Sequence, residues 1–67
     1  MRKNLKEARQ RAGMTQKQAA EYLKITLRGY QRIEDGQIIG KIQHWDALED
    51  LFQVHQRKLR ENQEGQS

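Results

Sequence analysis

Between Thr15 and Asp35 the chain carries two short amphipathic segments separated by only three residues, and no other feature limits its fold so strongly. Thr15 has the chemistry of a helix N-cap, and Gln18 stands three residues on, at the reciprocal position of a capping box. Ala19, Ala20 and Leu23 supply the inward face of that helix. Lys24-Ile25-Thr26 follows, with Thr26 as a second N-cap opening a helix that continues to Glu34 before Asp35-Gly36 breaks it. So short a connection makes the two helices cross closely, and Ala20 is small where they must do so. Leu23, Ile25, Tyr30 and Ile33 are apolar where the pair face each other and a preceding helix.

The flanking sequence reads as further helices packed on this pair. Asn4 and Glu7 have capping-box spacing, and Leu5, Ala8 and Ala12 form a helical stripe, predicting a helix over 4–12 with Gly13 as its C′ residue. A loop over 37–40 leads to a fourth helix over 41–52. Ile42, Trp45, Leu48 and Phe52 share one side of it, with Leu51 beside them, so Trp45 and Phe52 read as core. Val54 and Leu59 predict a short fifth helix over 55–62, docked on the first four. The expected fold is all-α, a compact bundle of five short helices forming one domain over residues 1–62. A disordered tail over 63–67, which holds no apolar residue, is expected after it.

Composition agrees with helices: the chain has no proline, and β-branched residues are sparse. Its 67 residues bury only a modest core. The absence of cysteine excludes disulfides and thiolate metal sites, and His44 and His55 fall on different elements, so no metal and no cofactor is expected. Apolar runs reach no more than two or three residues, too short for a membrane span or a signal-peptide core, and the chain reads as soluble and cytoplasmic. Asp46, Glu49 and Asp50 read as a solvated face of the fourth helix, and no catalytic residue is expected. The net charge of +4 hides a split: residues 1–32 carry nine Lys and Arg against two acids, and residues 33–67 carry four against seven. Such asymmetry suits one face for a polyanion and another for something else.

Two short helices on a three-residue turn are the signal of a helix-turn-helix. On a wheel of the second of these helices, Thr26, Gly29, Tyr30 and Ile33 lie on one side, and Leu27, Arg28, Gln31 and Arg32 on the other. Arg suits guanine O6 and N7, Gln suits adenine N6 and N7, and Leu suits a thymine methyl. From periodicity alone, an ordinary solvated face is the favoured reading of Arg28, Gln31 and Arg32, and Leu27 fits either a core or an exposed position.

The runs Met14–Leu23 and Thr26–Gly36, with Leu5-Lys6-Glu7-Ala8-Arg9 ahead and Ile42, Trp45, Leu48, Phe52, Val54 and Leu59 behind, resemble the Cro and phage-repressor helix-turn-helix family over roughly residues 3–60. Core positions, caps and loop lengths agree together. The resemblance implies that the residues opening helix two, Thr15, Gln16 and Lys17, lie at the DNA. It implies that Thr26, Leu27, Arg28, Gln31 and Arg32 present the base-reading surface, and that Gln37 and Lys41 hold phosphate. It further implies a partly buried salt bridge between Arg9 and Glu34. Three positions depart from the family: Lys24 stands in the turn where Gly is common, Tyr30 where Ile or Val is usual, and Gly29 lies inside the recognition helix, at about 1 kcal/mol relative to Ala.

The function expected from this resemblance is sequence-specific DNA binding in transcription regulation, repressor-like. The partner is double-stranded DNA, met by a homodimer on a pseudo-palindromic site with half-sites about one helical turn apart. A second expectation is an interaction module of the same fold, as in antitoxins, whose acidic C-terminal half meets a partner protein.

Overall fold

The computed structural model describes residues 1–62. Five helices follow in chain order: α1 (Lys3–Arg11), α2 (Gln16–Leu23), α3 (Leu27–Asp35), α4 (Ile42–Phe52) and α5 (Gln56–Leu59), with no strand among the described residues. The tail expected over 63–67 lies outside the described residues. None of these helices is long and apolar enough to cross a membrane.

Both halves of the Thr15 capping box form. Thr15 Oγ1 accepts the Gln18 N–H at 3.1 Å, and Gln18 Oε1 accepts the Thr15 N–H at 2.9 Å. Thr26 Oγ1 accepts the Gly29 N–H at 3.0 Å, which fixes the start of α3. Gly36, at φ 85°, ends α3 one residue later than its sequence signals suggest. Lys24 closes α2 in the left-handed region, at φ 59° and ψ 42°, the conformation the family meets with Gly. Gln53 closes α4 at φ 58°.

The start of α1 differs from the capping box read at Asn4 and Glu7. The chain enters the helix earlier, with Arg2 at the N-cap, because the Arg2 N–H bonds the Glu34 carbonyl at 2.8 Å and its side chain is drawn inward. Asn4 therefore lies inside the helix. Its amide donates to the Lys58 carbonyl at 3.2 Å and to Glu61 Oε1 at 2.9 Å, tying α1 to the α5 region. The fifth helix is shorter than its apolar residues suggested, a single turn whose His55 cap accepts the Arg57 N–H at Nδ1.

The core is Leu5, Ala8, Ala19, Ala20, Leu23, Tyr30, Ile33, Trp45, Leu48 and Leu59, with Met14, Ile25, Ala47, Phe52 and Val54 packed partly buried around it. Each of its large side chains contributes about 1.5–3 kcal/mol by leaving water. Two expected members are outside it. Ala12 is the exposed C-cap of α1, and Ile42, the first residue of α4, is 72% exposed between Lys41 and Gln43, which are exposed as well.

Arg2 is the unexpected centre of the fold. Its guanidinium is buried and gives Nη1–H bonds to the carbonyls of Ile33 (2.6 Å) and Ile38 (2.9 Å), and an Nε–H bond to the Arg60 carbonyl (3.1 Å). It also lies 5.3 Å from the centre of the Trp45 ring, within cation–π range. Burial, then the nearby charge of Arg60, lowers its pKa from the ordinary arginine value. The side chain thereby joins the start of α1, the end of α3, the following loop and the end of α5.

Candidate nucleic-acid interface

The turn between α2 and α3 holds the two helices against each other through Ala20 and Ile25. The Ile25 N–H bonds the Ala20 carbonyl at 3.0 Å, and Ala20 is almost wholly buried, as its small size at the crossing requires. Gly29 also finds its reason here. A Cβ at that position would lie 3.1 Å from Thr26 Oγ1, crowding the oxygen that caps the helix.

Beneath the crossing is a buried polar network centred on Glu34. Arg9 donates to its two carboxylate oxygens, Nε to Oε2 at 2.9 Å and Nη2 to Oε1 at 3.1 Å, forming the ion pair that the resemblance implied. The Tyr30 hydroxyl donates to Oε2 at 2.8 Å, and Gln16 Nε2 donates to Oε1 at 3.1 Å. Tyr30 is thus accommodated because its polar tip has a partner where a purely aliphatic residue would offer none. The bond to Glu34 raises the Arg9 pKa in spite of burial, and burial reinforced by the Glu34 charge raises that of the Tyr30 hydroxyl. The network continues outward, with Gln31 Nε2 donating to Gln16 Oε1 at 3.2 Å.

On the outer side of α3, Leu27, Arg28, Gln31, Arg32, Asp35 and Gln37 line one shallow groove. Arg28, Arg32 and Gln37 are exposed, and Leu27 is 41% exposed, which resolves its position in favour of the surface. Gln31 and Gln16 are half-buried by their mutual bond. Thr15 and Thr26 use their hydroxyl oxygens as caps, and each is exposed, with its O–H free to turn outward as a donor. Lys17 stands exposed in the first turn of α2. Lys41 does not line the groove; it is the exposed N-cap of α4, beyond the loop.

Two features escaped the sequence. Asp35 is exposed in the groove, where its carboxylate could accept from cytosine N4; it reads in sequence only as a helix-ending residue. Arg2 is buried and joins Arg9, whose burial the resemblance implied, so two of the nine cations that gave the first half its charge are structural. Arg2 precedes its helix and belongs to no periodic pattern, so nothing in the sequence singles it out. Among the described residues no cluster of three or more His, Asp or Glu could hold a metal ion.

No curated protein and no solved structure is similar enough to match this chain. The family model described as Helix-turn-helix does match it, over residues 5–55, a span that runs from the core of α1 to the cap of α5. With that match over most of its length, and with α2 and α3 crossing on a capped three-residue turn, the chain belongs to the helix-turn-helix family of the Cro and phage-repressor type.

Proposed function

We propose that the chain is a sequence-specific, repressor-like regulator of transcription that lays α3 in the major groove of duplex DNA. The observation that carries this reading is the groove on α3, where two guanidinium groups, an amide and an apolar side chain project together from one rigid helix. Arg28, Gln31 and Arg32 supply base preference, with Leu27 and Thr26 beside them. Thr15, Gln16 and Lys17, at the N-terminus of α2, meet phosphate at the positive end of the helix dipole, Gln16 and Lys17 with their backbone N–H groups. Gln37 and Lys41 hold the backbone on the far side of α3, and their contacts set affinity and its salt dependence. One such domain covers about half of an operator, so the working unit is a homodimer on a pseudo-palindromic site, acting in the cytoplasm where its DNA lies. Binding is the whole of the proposed activity, with no catalytic step and no cofactor.

The test separates readout from grip. A preferred duplex is first selected from a random library. Arg32→Ala is expected to cost about 1–3 kcal/mol on that duplex and to flatten preference at one or two base pairs. Lys41→Ala is expected to weaken preferred and random duplexes alike and to reduce the salt slope by about one. Arg32→Ala weakening every sequence equally while Lys41→Ala changes base preference would overturn the proposed docking. A parent chain that binds all duplexes alike would transfer the fold to the protein-interaction role.

A further inference from the structure

We propose that Arg2, set against the Trp45 ring, is a positioning residue of the DNA interface, holding the loop from Gly36 to Lys41 in the shape that brings Gln37 and Lys41 to phosphate. The inference rests on the DNA-binding reading above and concerns a side chain too buried to meet DNA itself. Arg2 is 4% exposed, and its guanidinium bonds backbone carbonyls and no carboxylate among the described residues. Packing alone does not require such a residue, because burying a charge costs far more than burying an apolar side chain of similar length. What a guanidinium offers instead is a rigid fork of N–H donors that holds several acceptors at fixed angles.

The acceptors decide what that fork does. Nη1 donates to the Ile33 carbonyl in the last turn of α3 at 2.6 Å and to the Ile38 carbonyl at 2.9 Å, so one nitrogen pins the loop to the helix it leaves. The Trp45 ring centre lies 5.3 Å from the guanidinium carbon, and its Nε1–H donates to the next carbonyl, that of Ile39, at 2.7 Å. Asn62 Nδ2 takes the Gly36 carbonyl at 3.2 Å. Gly40, at φ 81°, packs so closely on Ile33 that a Cβ there would stand 3.1 Å from its Cδ1.

The carbonyls of residues 36, 38 and 39 are thereby drawn inward, and this has two effects at the outer surface. Their negative ends face away from the strand that Gln37 and Lys41 are proposed to hold. The exposed side chains of Gln37 and Lys41 also leave from a backbone that is fixed at each of the three residues between them. A loop already fixed in this way loses little further freedom when it docks. The competing account gives Arg2 a part in stability alone, and the two accounts differ in what a charge-conserving substitution does to DNA binding.

The experiment compares the parent with Arg2→Lys, Trp45→Phe, Lys41→Ala and the Arg2→Lys/Lys41→Ala pair, each at a temperature where circular dichroism shows it folded. Arg2→Lys keeps the charge and loses the fork. Trp45→Phe keeps a ring beneath Arg2 and loses the N–H bond to Ile39, and it carries the test should Arg2→Lys not fold. Arg2→Lys is expected to bind the selected and a random duplex about tenfold more weakly, with base preference unchanged. Its salt slope should fall by about one, as for Lys41→Ala. Both substitutions remove the same phosphate contact, so the pair should lose about one unit of slope and not two. Trp45→Phe should move the slope in the same direction. Without DNA, exchange of the Gln37 amide, which bonds the Arg32 carbonyl at 2.9 Å, should quicken in Arg2→Lys by a larger factor than that of the Ile33 and Leu48 amides. The proposal is overturned, with DNA binding left standing, by any of four results: an unchanged slope in Arg2→Lys or its stand-in, a pair that loses about two units, altered base preference, or exchange quickened evenly along the chain. A parent that binds no duplex ends the DNA-binding reading and this role with it.

Discussion

Replacing Glu34 by Gln keeps the shape of the side chain and removes one charge from the most connected polar group in the fold. In the parent each carboxylate oxygen accepts two hydrogen bonds: Oε1 from Arg9 Nη2 and Gln16 Nε2, Oε2 from Arg9 Nε and the Tyr30 hydroxyl. Glutamine has one acceptor oxygen, so whichever way its amide turns, an NH₂ group faces two donors. Arg9, whose side chain is only 10% exposed, also loses its counter-charge. Breaking a buried pair from one side costs about 3–5 kcal/mol. A chain of this length has roughly 3–10 kcal/mol of total stability. Glu34→Gln is therefore expected to lower the melting temperature by about 12 °C or more, or to leave the chain unfolded at room temperature. Urea denaturation followed by helical circular dichroism and by Trp45 emission gives the value. The Arg9→Met/Glu34→Gln double variant removes both charges. The amide that then replaces the carboxylate can accept from Tyr30 and donate to Gln16, so this variant should be about 2 kcal/mol more stable than the two single losses added together. A single-variant cost below about 1 kcal/mol, the worth of a solvated surface pair, or strict additivity in the cycle, would refute this account.

Tyr30→Phe should cost about 1.5–3 kcal/mol at neutral pH, because it removes a buried hydroxyl bonded to a carboxylate. The folded state raises the Tyr30 pKa above its ordinary 10.0, so above pH 10 the unfolded chain releases this proton while the folded chain keeps it. Parent stability should then fall by up to about 1.4 kcal/mol per pH unit more than that of the variant, and a constant gap between the two from pH 9 to 11.5 would count against the burial argument. Lys24→Gly and Gln53→Gly each remove a side chain from the left-handed region and should stabilise by up to about 1 kcal/mol in denaturant melts; clear destabilisation at either would mean that the side chain, rather than the backbone, holds that helix end.

Helix number, order and the crossing of α2 with α3 were legible because their signals are local: Thr15, Thr26 and Gly36 act within one turn of themselves, while the left-handed turn at Lys24 was legible from the resemblance, in which Gly is common at that position. The Arg9–Glu34 pair was legible only by resemblance, since 25 residues separate its members. What the sequence concealed acts at longer range. Arg2 bonds partners 31, 36 and 58 residues away, and that demand shifts the start of α1 and fixes the loop after α3. Ile42 keeps the periodicity of a core residue, yet periodicity tells which side of a helix is apolar and not how far along the axis the neighbouring helices reach. The outer face of α3 was readable as a list of side chains. Its assembly with Gln16 and Asp35 needed the packing of α2 against α3.

The bond between Gln31 and Gln16 bears on how portable the recognition surface is. Gln31 presents its amide in a plane set by Gln16, which is oriented by Glu34, which is in turn held by Arg9 on another helix. On the proposed reading, the preference at the base facing Gln31 is therefore a property of three helices. Transplanting the exposed residues of α3 onto a related scaffold would carry over what Arg28 and Arg32 recognise, and would leave behind the alignment of Gln31 unless Gln16 and the pair beneath it travelled too. A recognition code written for this family one residue at a time would mispredict the chain at that base.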